Sequence, residues 1–169
     1  MTCTIPTAQG EFLAHFTTHG LARLQFPGTQ PARPVGAKPP PKPWLRQTRA
    51  AINSILTGKM PAKLPPLDLS MGTRFQQQLW HAMLLIPTGG TRTYGELAHA
   101  LRRPNAARAI GQACGANPIP LIIPCHRVLA NGNKLGGFSA GLDWKQKLLK
   151  AEGHSSHHTQ VLVIVQYSD

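Results

Sequence analysis

Cys125 and His126 stand side by side in the stretch Ile123-Pro124-Cys125-His126-Arg127-Val128, a potential nucleophile next to a potential base. A thiol attacks only as its thiolate, so it needs a base or a positive neighbour to lower its pKa. His126 can supply the first and Arg127 the second. The apolar run Leu121-Ile122-Ile123 reads as a strand, and Pro124 ends it. Cys125 is therefore expected at a strand end, where a substrate can reach it. In an extended segment successive side chains point to opposite sides, so direct contact between Cys125 and His126 is awkward and a bridging water is the natural link. Taken alone, these residues leave a second reading open, that of a cysteine buried in a core strand.

Several elements must hold that hexamer in place. Residues 11–16 and 21–26 alternate apolar and polar side chains around Thr17-Thr18-His19-Gly20, which reads as a hairpin with Phe12, Ala14 and Phe16 on one face. A proline-dense stretch from Pro27 to Pro43 reads as a linker or irregular loop. Residues 47–56 place Ala51, Ile52, Ile55 and Leu56 on one helical face, with Gly58 as the stop. Pro61 to Pro66 breaks the chain again, and the domain boundary is expected near residue 70. A helix follows over 75–86, with Phe75, Leu79, Ala82, Met83 and Ile86 as its buried stripe.

Thr93-Tyr94-Gly95-Glu96 fits a capping box that opens a short helix. Arg102-Arg103-Pro104 breaks it, and a second helix is expected from Asn105 to about Ala116. That helix has Ala106, Ile110, Ala113 and Asn117 on one side. The other side, with Ala107, Arg108, Gly111, Gln112 and Gly115, is almost bare apart from its arginine. Two short helices joined by a tight turn make a helix-turn-helix, and a bare second helix lets its backbone approach a nucleic-acid groove. Without further information, tight packing inside the protein explains the small residues equally well. Residues 132–141 form a glycine-rich loop, and 142–151 form a last helix closed by Gly153. Residues 155–169 read as a tail, in which Val161 to Val165 could add an edge strand.

Charge narrows the partner. The 169 residues hold 18 lysines and arginines against 6 acids, a net charge of +12. Residues 1–70 carry 8 basic and 2 acidic residues and residues 71–150 carry 10 and 2, so the excess is spread over the chain. A polyanion, most simply nucleic acid, is the expected partner. The three cysteines are too few and too scattered for a disulfide framework. With no signal-peptide pattern and no long apolar run, a protein of a reducing compartment is expected.

Further motifs surround the hexamer: Pro104-Asn105-Ala106-Ala107-Arg108-Ala109-Ile110-Gly111, Asn117-Pro118-Ile119-Pro120, Gly136-Gly137-Phe138-Ser139 and Glu152-Gly153-His154. Together with Tyr94 they closely resemble the O6-alkylguanine-DNA alkyltransferase family, the direct-reversal DNA repair proteins. The resemblance is dense from about Phe75 to His154 and weak over the N-terminal part.

That resemblance implies an α/β ribonuclease-H-like N-terminal domain over 1–70 and a mainly α, winged-helix-like domain over 71–154. It implies irreversible transfer of an alkyl group from O6-alkylguanine in double-stranded DNA to Cys125, once per molecule, with no cofactor. In that scheme His126 is the water-bridged base and Glu152 the carboxylate that orients it. Tyr94 donates to the base, and Lys145 and the backbone amide of Ser139 donate near the guanine O6. Arg108 enters the stack when the base flips out, on a helix whose Ala107, Ala109 and Gly111 meet the DNA. Asn117 ties the helix to the active-site loop, Pro120 walls the alkyl pocket, and Phe138 replaces a tyrosine found in many members. Cys3 lacks a second cysteine nearby, so no metal is expected, and His154, His157 and His158 read as a solvated tail. A monomer off the membrane follows, in the cytoplasm with the nucleoid or in a nucleus. Alkyltransferase-like proteins that only mark lesions lack the acceptor cysteine, and a papain-like hydrolase would leave the charge unexplained.

Overall fold

A computed structural model describes residues 1–29 and 38–154. The expected edge strand at Val161 to Val165, and His157 and His158, lie outside them. No helix among the described residues is long and apolar enough to cross a membrane.

The architecture mixes helices and sheets. The hairpin forms as β2 (Gly10–Phe16) and β3 (Leu21–Gln25), antiparallel, with a bulge between His15 and Phe16. Its outer neighbour was not expected: β1 (Thr2–Thr7) pairs antiparallel with β2, placing Cys3 opposite Ala14. Three threonines and Pro6 mask that strand in the sequence, and only Ile5 of it is buried. Phe12, Ala14 and Phe16 are buried on the shared face as the alternation requires.

Helix α1 (Lys42–Leu56) begins five residues before the expected start, inside the proline-dense stretch. Pro43 in its first turn has the fixed φ that a helix start accepts. The end is at Gly58, whose φ is +71°. A Cβ there would lie 1.8 Å from the carbonyl oxygen of Ala151, so a glycine is what lets α1 abut the end of the last helix.

Helix α2 (Arg74–Leu84) opens with a reciprocal capping box between Thr73 and Gln76 and buries Leu79, Trp80 and Met83. Ile86 is buried beyond the helix end rather than within it. The two-residue strand β4 (Arg92–Thr93) leads into α3 (Tyr94–Ala100), whose Thr93–Glu96 capping box is formed as its spacing requires. A turn containing Arg102 at φ +55° connects to α4 (Ala107–Gly115). Helices α2 and α3 both pack on α4. The indole of Trp80 donates to the carbonyl of Ala113 at 2.9 Å, which fastens α2 to α4 in the interior.

The expected strand at 121–123 does not form. Leu121 takes φ +81°, Pro120 makes only an isolated bridge to Ile123, and Cys125–Arg127 is a single 3-10 turn. Pro118, Pro120 and Pro124 each lack the N–H that a ladder needs. The run is apolar because it is buried on all sides. After that turn β5 (Val128–Leu129) pairs parallel with β4, and α5 (Leu142–Ala151) closes the structure. One apolar cluster runs from Ile5 and Phe12 through Leu79 and Ile110 to Leu148.

Candidate active site

Cys125 begins the 3-10 turn and is only 5% exposed. Its thiol faces a cavity of about 260 Å³ that also touches Tyr94 of α3 and Gly111, Cys114 and Gly115 of α4. The far wall is the loop segment Gly137, Phe138 and Ser139. Burial, opposed by a hydrogen bond from Asn117 and the charge of Lys145, pushes the Cys125 thiol up to about 11. The expectation of a lowered thiol pKa is therefore corrected. At neutral pH the resting group is S–H, and its proton must leave as it attacks.

His126 does not line the cavity and is fully buried. Residues of a 3-10 turn are spaced about a third of a turn apart, so the two side chains diverge as they would in a strand. The imidazole Nε2 lies 2.9 Å from Glu152 Oε1. A carboxylate only accepts, so Nε2 carries the proton and Nδ1 presents its lone pair. Nδ1 is buried with no protein partner. Burial lowers the His126 pKa more than Glu152 raises it, so the ring is neutral and basic at Nδ1.

Glu152 caps the end of α5, where the helix dipole disfavours an anion. Three groups overcome this. Arg127 donates Nη2 to Oε1 at 2.8 Å and Nε to both oxygens at 3.0 and 3.2 Å. The amide of Gly89 donates to Oε2 at 3.2 Å, and His126 supplies the fifth contact. Burial alone would raise the Glu152 pKa, but the hydrogen bonds from His126 and Arg127 prevail and hold it at about 2. Arg127 also donates to the carbonyl of Ile86 at 2.6 Å and to Thr88 at 3.1 Å. The sequence offered Arg127 as a charge for the thiol. In the structure it is the anchor of Glu152, and its spacing from Glu152 gave no sign of that.

Asn117 holds the turn from the other side. Its Nδ2 donates to the carbonyl of Ile123 at 2.9 Å and to Cys125 Sγ at 3.2 Å, and its Oδ1 accepts from the amide of Ile119 at 3.0 Å. The contact to the sulfur was not expected. Tyr94 sits over the cavity with its hydroxyl against Gly136, where a Cβ would come within 2.9 Å. Burial raises the Tyr94 pKa, so the phenol keeps its proton and can donate.

Two expected site residues are placed elsewhere. Lys145 is fully buried, and its ammonium donates to the carbonyls of Val128 (2.6 Å), Leu135 and Gly137 (3.2 Å). Its three protons are thus committed to backbone. Lys145 braces the cavity loop and offers nothing to a guanine O6. Pro120 is buried and bridged to Ile123, and it is not among the residues that line the cavity. Ser139 does line the cavity. Ala107, Arg108 and Ala109 are exposed on α4, while Ile110, Ala113 and Cys114 are buried. Arg108, Gly111 and Gly115 share one helix face, and the two glycines line the cavity.

Residues 74–154 match the family described as 6-O-methylguanine DNA methyltransferase, DNA binding domain. The methylated-DNA–protein-cysteine methyltransferase of Methanosarcina mazei is 43% identical over 114 residues, which cover 66% of this chain and 70% of that protein. The corresponding protein of Methanosarcina acetivorans is 52% identical over 113 residues, covering 65% and 70%. The crystal structure of Mycobacterium tuberculosis OGT in complex with DNA matches with a TM-score of 0.75 and 37% identity, over 88% of this chain and 90% of that one. The chain belongs to the O6-methylguanine-DNA methyltransferase family.

Proposed function

We propose that this protein repairs DNA by direct reversal, moving the alkyl group of O6-alkylguanine onto Cys125. The observation that carries the reading is the Cys125 thiol lining a cavity, backed by the His126–Glu152–Arg127 chain, with Gly111 and Gly115 of α4 beside it. Sγ attacks the alkyl carbon, the carbon–O6 bond breaks, and its electron pair returns to guanine. The Cys125 proton passes through a water to His126 Nδ1, and the imidazolium is stabilised by Glu152. Guanine leaves as a neutral base once it takes up a proton from water, and the imidazolium returns its own proton to water, so the count balances. Tyr94 and the amide of Ser139 donate hydrogen bonds to it as charge develops. The thioether has no easy way back, so each molecule acts once.

The lesion sits inside a duplex and must be flipped out to reach Cys125. Arg108 fills the gap, and the small residues Ala107, Ala109 and Gly111 let α4 lie close in the groove. Residues 1–70 form a ribonuclease-H-like architectural domain, and 71–154 form the winged-helix-like domain that does the chemistry. The protein acts as a monomer where the DNA is, in the cytoplasm or in a nucleus.

Incubation with a duplex containing O6-methylguanine, followed by mass spectrometry of the Cys125 peptide, tests the reading. One methyl group on Cys125, with loss of the lesion in equal amount, is expected. Cys125→Ser should retain lesion binding and gain no methyl. Methylation elsewhere, or repair by Cys125→Ser, would sink the assignment.

A further inference from the structure

Phe138 forms a wall of the Cys125 cavity, and its glycine-rich loop offers the ring little side-chain support. Gly136 and Gly141, on either side of it, take φ values of +64° and +93°, and Gly137 has no side chain to pack. The ring is held from outside. It meets the edge of Phe26 with centroids 5.7 Å apart at 85°, and His126 at 6.4 Å and 84°. Phe26 directly follows β3 at the end of the N-terminal sheet and is 2% exposed, far from Cys125 in sequence. Behind it stand Trp144 of α5, at 4.8 Å and 67°, and Phe12 of β2, at 5.1 Å and 55°. Trp144 and Phe12 also meet each other at 6.1 Å, which closes the cluster around Phe26.

We infer that Phe26 is a specificity-determining positioning residue: backed by Trp144, it fixes the Phe138 ring and so sets the width of the alkyl cavity. The inference rests on the reading that this cavity receives the alkyl group. It follows from where freedom remains. Lys145 braces the loop at the Gly137 carbonyl and Gly141 donates to the Phe138 carbonyl at 3.0 Å, so the freedom that remains is that of the ring about its own side-chain bonds, and interiors are packed closely enough that a ring moves only when a neighbour yields. Removing the Phe26 edge leaves space on the side of Phe138 that faces away from the cavity. The ring can then retreat, and the cavity widens. A benzyl group gains from that width. A methyl group gains nothing and loses the wall that guides it to the sulfur.

The experiment compares single-turnover transfer from duplexes carrying O6-benzylguanine and O6-methylguanine, for wild type and Phe26→Leu. The benzyl-to-methyl rate ratio should rise about threefold to tenfold in Phe26→Leu, the scale of one aromatic pair. A loss of folded protein scales both rates together and leaves the ratio alone, so a merely structural role does not move this readout. In a Phe138→Leu background the same Phe26→Leu change should leave the ratio within about twofold, because the ring it positions is gone. Should Phe26→Leu fail to fold, Trp144→Leu removes the ring behind it and should raise the ratio in the same direction. A ratio unchanged by the Phe26 and Trp144 variants overturns the inference, as does an equal shift in the Phe138→Leu background. A wild-type protein that transfers neither group overturns the parent reading, and the inference with it.

Discussion

Glu152→Gln separates the two tasks that the structure gives to one carboxylate. The side chain is fully enclosed and accepts from Arg127, His126 and the Gly89 amide. Glutamine keeps the shape but only one of the two acceptor oxygens. Its NH2 group must face a donor, either the Arg127 guanidinium or the protonated Nε2 of His126. Arg127, itself buried, then lacks its counter-charge. Breaking a buried pair from one side costs about 3–5 kcal/mol, so the midpoint of urea unfolding should fall sharply.

The chemical loss is distinct. Without the carboxylate the imidazolium loses its stabilising anion, and burial already lowers the His126 pKa. Transfer near pH 7 should slow about a hundredfold, the low end of what a positioned base contributes. Because the Cys125 thiol lies at about 11, thiolate made by hydroxide alone grows about tenfold per pH unit below that value. The mutant rate should therefore climb with that slope above neutrality, while wild type stays flatter. Single-turnover rates between pH 6.5 and pH 9 (about the range in which such a fold survives) make the comparison. Replacing both partners, as Arg127→Met with Glu152→Met, removes the uncompensated charge and should restore part of the stability. It should not restore the rate. A Glu152→Gln protein with a wild-type rate and pH profile would refute the relay. A double variant that recovered both stability and rate would show that Glu152 only holds the chain in place.

Other outcomes follow from the same geometry. The Glu152 pKa is depressed in the folded state, so its contribution is present above the unfolded value and is lost as pH falls toward about 2; it amounts to about 3 kcal/mol. Urea titrations between about pH 5 and pH 2 should show that loss in wild type and not in Glu152→Gln. Gly58→Ala sets a Cβ against the Ala151 carbonyl at a left-handed φ and should destabilise by roughly 2–4 kcal/mol, measured by thermal melting. Arg108→Ala should weaken transfer from duplex DNA at least about tenfold more than transfer from free benzylguanine, since only the duplex requires flipping; equal losses would assign Arg108 to the fold.

The sequence shows most where short-range rules act. Thr93 and Glu96 are three residues apart, and that spacing alone dictates the reciprocal cap found at α3. The apolar stripe of α2 and the bare face of α4 are periodic and legible for the same reason. The apolar run at 121–123 misled, because burial on every side looks the same in a strand and in a compact turn. What decides between them is a left-handed residue at Leu121, where no glycine or asparagine announces it. Strand β1 was hidden in the opposite sense, since its half-buried threonines and exposed Pro6 leave almost no alternation to see.

Arg127 and Lys145 show why the site itself was only partly legible. Both are basic residues next to chemistry, and charge counting assigns both to the substrate side. Yet a buried cation is stable only where acceptors surround it, and these two find theirs in different places. Lys145 meets three backbone carbonyls and braces the loop that carries Phe138. Arg127 meets Glu152 and the Ile86 carbonyl, joining the turn that bears Cys125 to the segment after α2 and to the end of α5. Carbonyl acceptors leave no trace in residue type, so no motif could foretell either pairing. The consequence is specific to the reaction. Burial outweighs the pull of the Lys145 charge on Cys125, so the thiol rests protonated, and under the proposed relay the Glu152 charge that would stabilise the imidazolium is itself fixed by Arg127.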